Sequence, residues 1–164
     1  MAKTIQVKLT NQSLNQAIKE LQRYKMWVLT KENELRSRLA MLGATVASIQ
    51  FSRAIYNGSN DISVRVDDTG SVAVIYAEGE SVAFIEFGSG IKYGYGHPMA
   101  GEFGMGPGTW SDGPEGKGHW DNQKGWWYGD SQHTYGNPPA MAMVKARDEI
   151  VENITTIARE VFAS

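Results

Sequence analysis

The 164-residue chain contains no cysteine. Without thiols it can form no disulfide framework, carry no cysteine nucleophile and hold no cysteine-ligated zinc or iron–sulfur centre. The length suits one domain and is sufficient to bury a hydrophobic core without covalent cross-links. We therefore expect a single domain over residues 1–164 that is held together by packing.

Long apolar runs are also missing. No stretch approaches the roughly 18 consecutive apolar residues of a membrane span. Residues 1–13 lack the apolar core of roughly 7 to 15 residues that a secretion signal needs. The sequence therefore predicts a protein that is made in the cytoplasm and has no contact with a membrane.

The common motifs of catalysis and nucleotide binding do not occur. A Gly-Ser-Gly string at 88–90 follows an apolar segment, but the G-x-G-x-x-G spacing would need glycine where Tyr93 stands. Neither G-x-x-x-x-G-K-[ST] nor G-x-S-x-G is present. His97, His119 and His133 are too widely spaced for an H-E-x-x-H metal site. We therefore expect no catalytic residue, no metal site and no cofactor.

Positive charge is concentrated at one end of the sequence. The net charge is −2, yet residues 1–60 carry +6, whereas 61–92 carry −4 and 93–136 carry −3. The basic part could face DNA, or the two parts could meet as complementary surfaces within the fold or between subunits. The second interpretation is favoured because the overall charge is far from that of a general nucleic-acid binder.

Hydrophobic periodicity predicts a strand and two helices in the first sixty residues. Apolar and polar residues alternate over 5–9, as in a half-buried strand. A capping-box pattern at 13–16 predicts a first helix over about 13–27, and Thr30 is a suitable cap for a second helix. A packed face is favoured over a coiled coil for the second helix, because its 4-3 apolar stripe is under three heptads long. The stripe consists of Leu35, Leu39, Leu42, Val46 and Ile49.

Three strand signals follow, at 62–66, 72–76 and 82–87. The residues between them are few enough for hairpin turns, so the pattern predicts an antiparallel meander. Such a sheet needs helices packed across its apolar face. Pro138 and Pro139 then precede an apolar stripe that predicts a C-terminal helix on the sheet. The expected fold class is α+β.

Residues 88–136 differ in composition from the rest of the chain. They contain 14 of the 18 glycines and four of the five tryptophans, with no sustained helical or strand period. A loop of this length inside a compact domain is unusual. Because disordered segments are poor in aromatic residues, we expect a loop insertion that is ordered by packing or by a partner. The expected interaction residues are Tyr93, Tyr95, Trp110, Trp120, Trp126, Trp127 and Tyr128.

Glu86 lies in the apolar segment 82–87, on the face that it shares with Val82 and Phe84, so it is expected at the edge of the apolar side or at the exposed end of the predicted strand. A structural role, in which a backbone group or an arginine satisfies it, is favoured over catalysis because buried polar groups are usually hydrogen-bonded. The other acidic pairs, at 67–68 and 78–80, lie in predicted turns, where acidic residues are ordinary.

Three local strings and the order of the elements resemble a protein family. The strings are Phe-Ile-Glu-Phe-Gly-Ser-Gly at 84–90, Gly-Trp-Trp-Tyr at 125–128 and Gly-Asn-Pro-Pro-Ala-Met-Ala-Met at 136–143. Together they resemble the tail-completion or head-to-tail joining proteins of long-tailed double-stranded-DNA phages, a family related to minor tail protein Z of phage lambda. The residues that carry the resemblance most directly are Phe87, Gly88, Gly90, Pro138 and Pro139.

The resemblance implies a non-enzymatic virion protein of the neck or upper tail, made in the host cytoplasm. Such a protein is expected to form a homo-oligomeric ring and to contact neighbouring neck or tail-tube proteins. If the ring surrounds a DNA channel, basic residues of the predicted helices are candidates to line it and to touch genomic DNA. These candidates are Lys19, Arg23, Lys25, Arg36 and Arg38.

A second interpretation is a small carbohydrate-binding module, in which tryptophans of 88–136 stack on sugar rings. Few basic residues lie among these aromatic residues, so a sugar or a protein suits the segment better than a nucleic acid. Rings would favour the phage protein, whereas a glycan-responsive monomer would favour the module. A histidine-metal enzyme is a third interpretation, and it would require stoichiometric metal.

Overall fold

The computed structural model describes residues 8, 10–56, 58–90, 93, 96–103, 126–128 and 132–163. The helices within these ranges are α1 (Asn11–Ser52), α2 (Val82–Phe87) and α3 (Ala142–Ala163). The strands are β1 (Ser63–Asp67), β2 (Val74–Glu78), β3 (Trp126–Tyr128) and β4 (Gln132–Thr134). Helices combined with a small antiparallel sheet confirm the α+β class. The strand predicted at 5–9 lies outside the described residues.

α1 is one continuous helix of 42 residues, and the prediction of two helices is wrong. The hydroxyl of Thr30 donates to the Met26 carbonyl at 2.9 Å inside the helix, so this side chain does not cap a new helix. Neither glycine nor proline interrupts 11–42, which explains why the helix continues. The N-cap of α1 is Thr10, whose Oγ1 accepts the Ser13 N–H at 3.3 Å.

α3 packs antiparallel along the second half of α1. Near the start of α3, the Lys145 ammonium donates to the Gln50 side chain at 2.9 Å. Near its end, the rings of Trp27 and Phe162 meet with centroids 5.8 Å apart. α1 also contacts both β1 and β2, so α1, rather than α3, is the helix that lies against the sheet. The predicted packing of the C-terminal helix on the sheet is corrected accordingly.

The most deeply buried face of α1 is formed by Ala40, Gly43, Ala47 and Phe51, three of which are small, and Ala17 is buried nearer the start of the helix. A Cβ on Gly43 would lie 2.6 Å from the Cδ1 atoms of both Ile150 and Ile75, so α3 and β2 approach the helix closely here. The predicted apolar stripe lies beside this face and is half-buried, except for Ile49, which is exposed. Small residues therefore set the distance between the elements.

β1 and β2 form a two-stranded antiparallel hairpin, with Ser63 opposite Glu78 and Asp67 opposite Val74. The predicted third strand at 82–87 is the helix α2, so the meander is wrong. A short apolar run fits a buried helical turn as well as it fits a strand, and periodicity alone does not separate the two.

A second hairpin lies within 88–136, where the sequence shows no strand period. β3 pairs with β4, with Trp126 opposite Thr134 and Trp127 opposite His133. The strands are three residues each, which is too short for an alternating pattern to stand out. Residues 88–136 therefore contain two short strands that the sequence pattern does not predict.

Candidate functional site

Glu86 supplies the N-terminal cap of α3. Its Oε2 accepts the backbone N–H of Ala142 at 2.7 Å, and its two oxygens accept the N–H of Met143 at 3.1 and 3.2 Å. The first N–H groups of a helix have no partner in the helix and carry partial positive charge. Met141 precedes the helix with φ 52° and a thioether that is a poor acceptor. A buried carboxylate from a distant part of the chain replaces the local cap.

His97 completes the environment of this carboxylate. Its Nε2 lies 3.2 Å from Oε1 of Glu86, while its Nδ1 accepts the N–H of Met99 at 3.1 Å. Because Nδ1 accepts, Nε2 carries the proton and donates to Glu86. Both side chains are buried, and the ring of Phe87 lies against the imidazole with centroids 4.4 Å apart. With its oxygens occupied by donors and shielded from water, Glu86 is a structural group.

A single β-bridge joins the two ends of the glycine-rich and tryptophan-rich segment. Ser89 and Asn137 exchange backbone hydrogen bonds at 3.0 and 3.2 Å, and the Ser89 hydroxyl donates to the Asn137 side-chain oxygen. The Asn137 amide in turn donates to the Phe84 carbonyl at 2.9 Å. Asn137 is therefore buried with its hydrogen-bonding groups occupied.

Two glycines make this bridge sterically feasible. Gly88 has φ 78°, and a Cβ there would lie 2.9 Å from the Asn137 carbonyl oxygen and from the Pro139 nitrogen. Gly136 has φ 94°, and its Cβ would lie 2.0 Å from the Ser89 carbonyl oxygen. Both backbone conformation and space therefore require glycine at these positions.

The bridge and the cap together form what we call the junction: Glu86, Ser89, His97, Asn137 and Ala142. The junction adjoins the hydrophobic core. The neighbouring Ile85 is fully buried, and its carbonyl accepts the Ala140 N–H at 2.8 Å. The junction contains or adjoins the residues that carry the family resemblance, namely Phe87, Gly88, Gly90, Pro138 and Pro139. In the described part of the chain, every buried side-chain nitrogen and oxygen has a partner.

The expected aromatic surface is described only in part. Tyr93 is half-buried in a turn, where its N–H donates to the Gly90 carbonyl at 3.3 Å. The backbone of three further members runs along β3, and their side chains fall outside what is described. Tyr95, Trp110 and Trp120 lie outside the described residues.

The basic candidates do not form one surface. Arg36 donates to Asp68 at 2.7 Å, which joins the basic and acidic parts of the sequence within the fold. Arg38 pairs with Glu34 at 2.7 Å and lies 3.6 Å from Glu160.

The other three candidates, Lys19, Arg23 and Lys25, are exposed on the first half of α1. None of them has an ion-pair partner among the described residues. At about 100° per residue, Lys25 lies on the opposite side of the helix from Arg23 and well away from Lys19.

The first half of α1 carries an exposed apolar surface that the sequence-based expectations do not include. The exposed side chains there are Leu14, Ile18, Leu21, Tyr24, Met26, Trp27 and Leu29. The signal was present, because Leu14, Ile18, Leu21 and Val28 continue the 4-3 spacing of the stripe that begins at Leu35. An apolar stripe on a helix normally faces other structure.

A groove opens on the other side of the molecule, between α1 and β1. Its volume is about 390 Å³, and its lining residues are Met41, Ala44, Thr45, Ser48, Ile49 and Val66. The Thr45 hydroxyl donates to the Met41 carbonyl at 2.8 Å, so this polar group is satisfied within the helix. Met41 and Ile49 are both exposed there.

The pKa values of two aspartates, Asp61 just before β1 and Asp67 at its end, are lowered by hydrogen bonds that favour the ionised form. Hydrogen bonds from the hydroxyl and the N–H of Thr69 lower the pKa of Asp67. The pKa of Asp61 is lowered chiefly by the N–H of Glu80 at 2.7 Å, and the N–H of Ser81 adds to this. Asp61 therefore links the start of β1 to the residues that precede α2.

Within the described ranges, no group of three histidine, aspartate or glutamate side chains is arranged to hold a metal ion. Nor does any helix in those ranges have both the length and the apolarity to cross a bilayer. No protein-family model, curated protein or solved structure matches this chain.

Proposed function

We propose that this chain is a non-enzymatic structural subunit of a phage virion, in the neck or upper tail. There it completes the tail or joins head to tail as part of a homo-oligomeric ring. The observation that carries the proposal is the junction. The strings at 84–90 and 136–143, which underlie the resemblance, form one hydrogen-bonded unit that closes the body of the fold.

The chemistry of the junction supports a structural role. A catalytic carboxylate needs access to substrate, whereas Glu86 is 4% exposed and its oxygens accept two backbone N–H groups and face His97. Glycine, serine and asparagine in these strings are likewise engaged in closing the backbone. The polar residues and the two close-packed glycines of these strings therefore have a hydrogen-bonding or steric role.

The first half of α1 supports assembly with other proteins. A monomer rarely leaves so many large apolar side chains of one helix exposed, and such surfaces are typical of interfaces. Contact with genomic DNA is proposed for Lys19 and Arg23, which lie on the side of α1 away from Leu21. Arg36 and Arg38 already pair with carboxylates of the chain, so they are less suited to line a channel.

The experiment is deletion of the gene from a phage that encodes the chain. We expect electron micrographs of lysates to show separate heads and tails, and wild-type protein supplied in trans to restore joined virions. Gly136→Val should not restore them, because it disrupts the junction, whereas Gly101→Ala should, because a Cβ at Gly101 would meet no atom within 4 Å. Normal virions without the protein would refute the proposal.

The second candidate is carbohydrate binding by the tryptophan-rich segment. Its support is compositional, since aromatic rings with few cations among them suit sugar stacking. Titration with a panel of glycans, followed by tryptophan fluorescence, tests it. Saturable quenching of a monomeric chain would favour this candidate over the ring.

A further inference from the structure

The first half of α1 extends past the end of α3. Since Phe162 meets Trp27, residues 11–26 continue beyond the helix that packs against the rest of α1. We call residues 11–26 the arm. Its apolar stripe consists of Leu14, Ile18 and Leu21, which are 42%, 52% and 56% exposed and lie within an arc of about 60°.

One charged side chain interrupts this stripe. Lys25 follows Leu21 in the 4-3 spacing and therefore lies on the apolar side of the arm. The surface that covers the stripe should accordingly be apolar, with a carboxylate close by, because a buried cation needs a partner.

The same chain carries a surface of that kind. The groove between α1 and β1 is lined largely by carbon, and Val66 at its edge is followed directly by Asp67, which is exposed and kept ionised by Thr69. Residues 61–80 contain five carboxylates and one arginine, so the hairpin beside the groove is acidic overall.

We infer that the arm of one copy docks in the groove between α1 and β1 of a second copy, with Lys25 facing the acidic hairpin. The arm and the groove are different surfaces, so each copy offers one of each and the contact is head-to-tail. Contacts of this type close into rings when the rotation between copies allows it. This inference rests on the proposed function and identifies the contact that would build the ring.

The test uses single charged substitutions at exposed positions, because these leave the fold intact. Ile18→Glu alters the arm and Met41→Glu alters the groove, and Val151→Glu is the matched control. Val151 and Met41 are each 65% exposed, but Val151 lies on α3, outside both surfaces. Circular dichroism checks that all three variants fold.

Sedimentation over a range of concentrations should show that the wild-type chain self-associates. We expect Ile18→Glu and Met41→Glu each to weaken this association at least about 100-fold, since a charge is placed in an apolar contact. The control should associate like the wild type. Lys25→Glu should also weaken association, most clearly at low salt, whereas Lys25→Arg should not.

Mixing the two defective variants distinguishes head-to-tail from symmetric pairing. The Ile18→Glu protein keeps an intact groove and the Met41→Glu protein keeps an intact arm, so their mixture should form one-to-one dimers and nothing larger. If arms paired with each other, Met41→Glu would assemble like the wild type and the inference would be overturned. A wild-type chain that is still monomeric at about 1 mM would overturn it too, and would point to a different protein as the occupant.

Experiments can test the contact between arm and groove separately from the proposed role in the virion. If Ile18→Glu and Met41→Glu both restore joined virions and form rings, the contact is wrong while the virion role stands. If the purified chain assembles through arm and groove but the protein is dispensable for virions, the contact stands and the role fails.

Discussion

Glu86 accepts the backbone N–H of Ala142 across 56 residues of sequence, and through this bond α2 caps α3. Glu86→Gln should lower the free energy of unfolding by about 2 to 4 kcal/mol, because its amide would direct a donor at N–H groups and remove the charge at the helix terminus. Urea titration followed by far-ultraviolet circular dichroism measures this. Glu152→Gln, at an exposed position on α3, is the control. Equal unfolding curves for the two variants would contradict a capping role.

Gly136→Ala should destabilise the chain by at least about 2 kcal/mol, since alanine is strained at φ 94° and its Cβ would overlap the Ser89 carbonyl oxygen. Thermal unfolding with differential scanning calorimetry gives the change. Gly101→Ala, where a Cβ meets nothing within 4 Å, should melt like the wild type. Similar melting temperatures for both variants would contradict the close approach of Gly136 to the Ser89 carbonyl oxygen.

Thr30→Ala distinguishes one long helix from two. Thr30 lies inside α1, so alanine should raise stability by a few tenths of a kcal/mol through its better helix propensity. Thr10→Ala removes the actual cap and should cost about 0.5 to 2 kcal/mol. Urea midpoints of the two variants measure both effects. A large loss of stability in Thr30→Ala would instead indicate that Thr30 caps a second helix.

Asp61 makes a pH-dependent contribution to stability. Its pKa is lowered in the folded chain from an ordinary value of 3.8, chiefly by the Glu80 N–H, so its stabilising effect is complete above that value. The effect is lost as the pH falls through the lowered folded pKa, where the carboxyl becomes protonated. Asp61→Asn should therefore unfold at lower urea than the wild type at pH 7, and the two midpoints should converge as the pH falls below 3.8 and through the lowered pKa of Asp61. A difference between the two urea midpoints that does not change with pH would contradict the lowered pKa of Asp61.

The sequence predicted the elements whose signals are local. The pattern at 62–66 corresponds to β1, the apolar stripe after Pro139 corresponds to α3, and Glu86 was expected to be satisfied by a structural partner, as it is. The sequence does not reveal the full length of α1, because threonine is typical of helix caps whereas the Thr30 hydroxyl bonds within the helix. At 82–87 the apolar run is too short for its periodicity to distinguish a strand from a helix.

The composition of the site could not be derived from sequence, because its members come from separate segments. Nothing near Met141 in the sequence supplies an acceptor for the start of α3, and the carboxylate that does so, Glu86, precedes Met141 by 55 residues. The sequence around His97 gives no sign of its role, which depends on the position of its Nε2 beside the Glu86 carboxylate. The exposed stripe of the arm was visible in sequence as periodicity, but only the end of α3 beside Trp27 shows that it extends beyond its partner helix.

The bridge between Ser89 and Asn137 also makes the chain suitable as a scaffold for grafting. Because the ends of the intervening segment are already fixed to each other, lengthening it by an insertion adds only a cost of loop closure, about 0.6 kcal/mol for each doubling. An inserted peptide should follow residues 96–103, because His97 bonds Glu86 and the ring of Phe103 lies against that of Phe87, so these residues belong to the packed part of the fold. The bridge between Ser89 and Asn137 would then hold together the two ends of the loop that carries a foreign epitope.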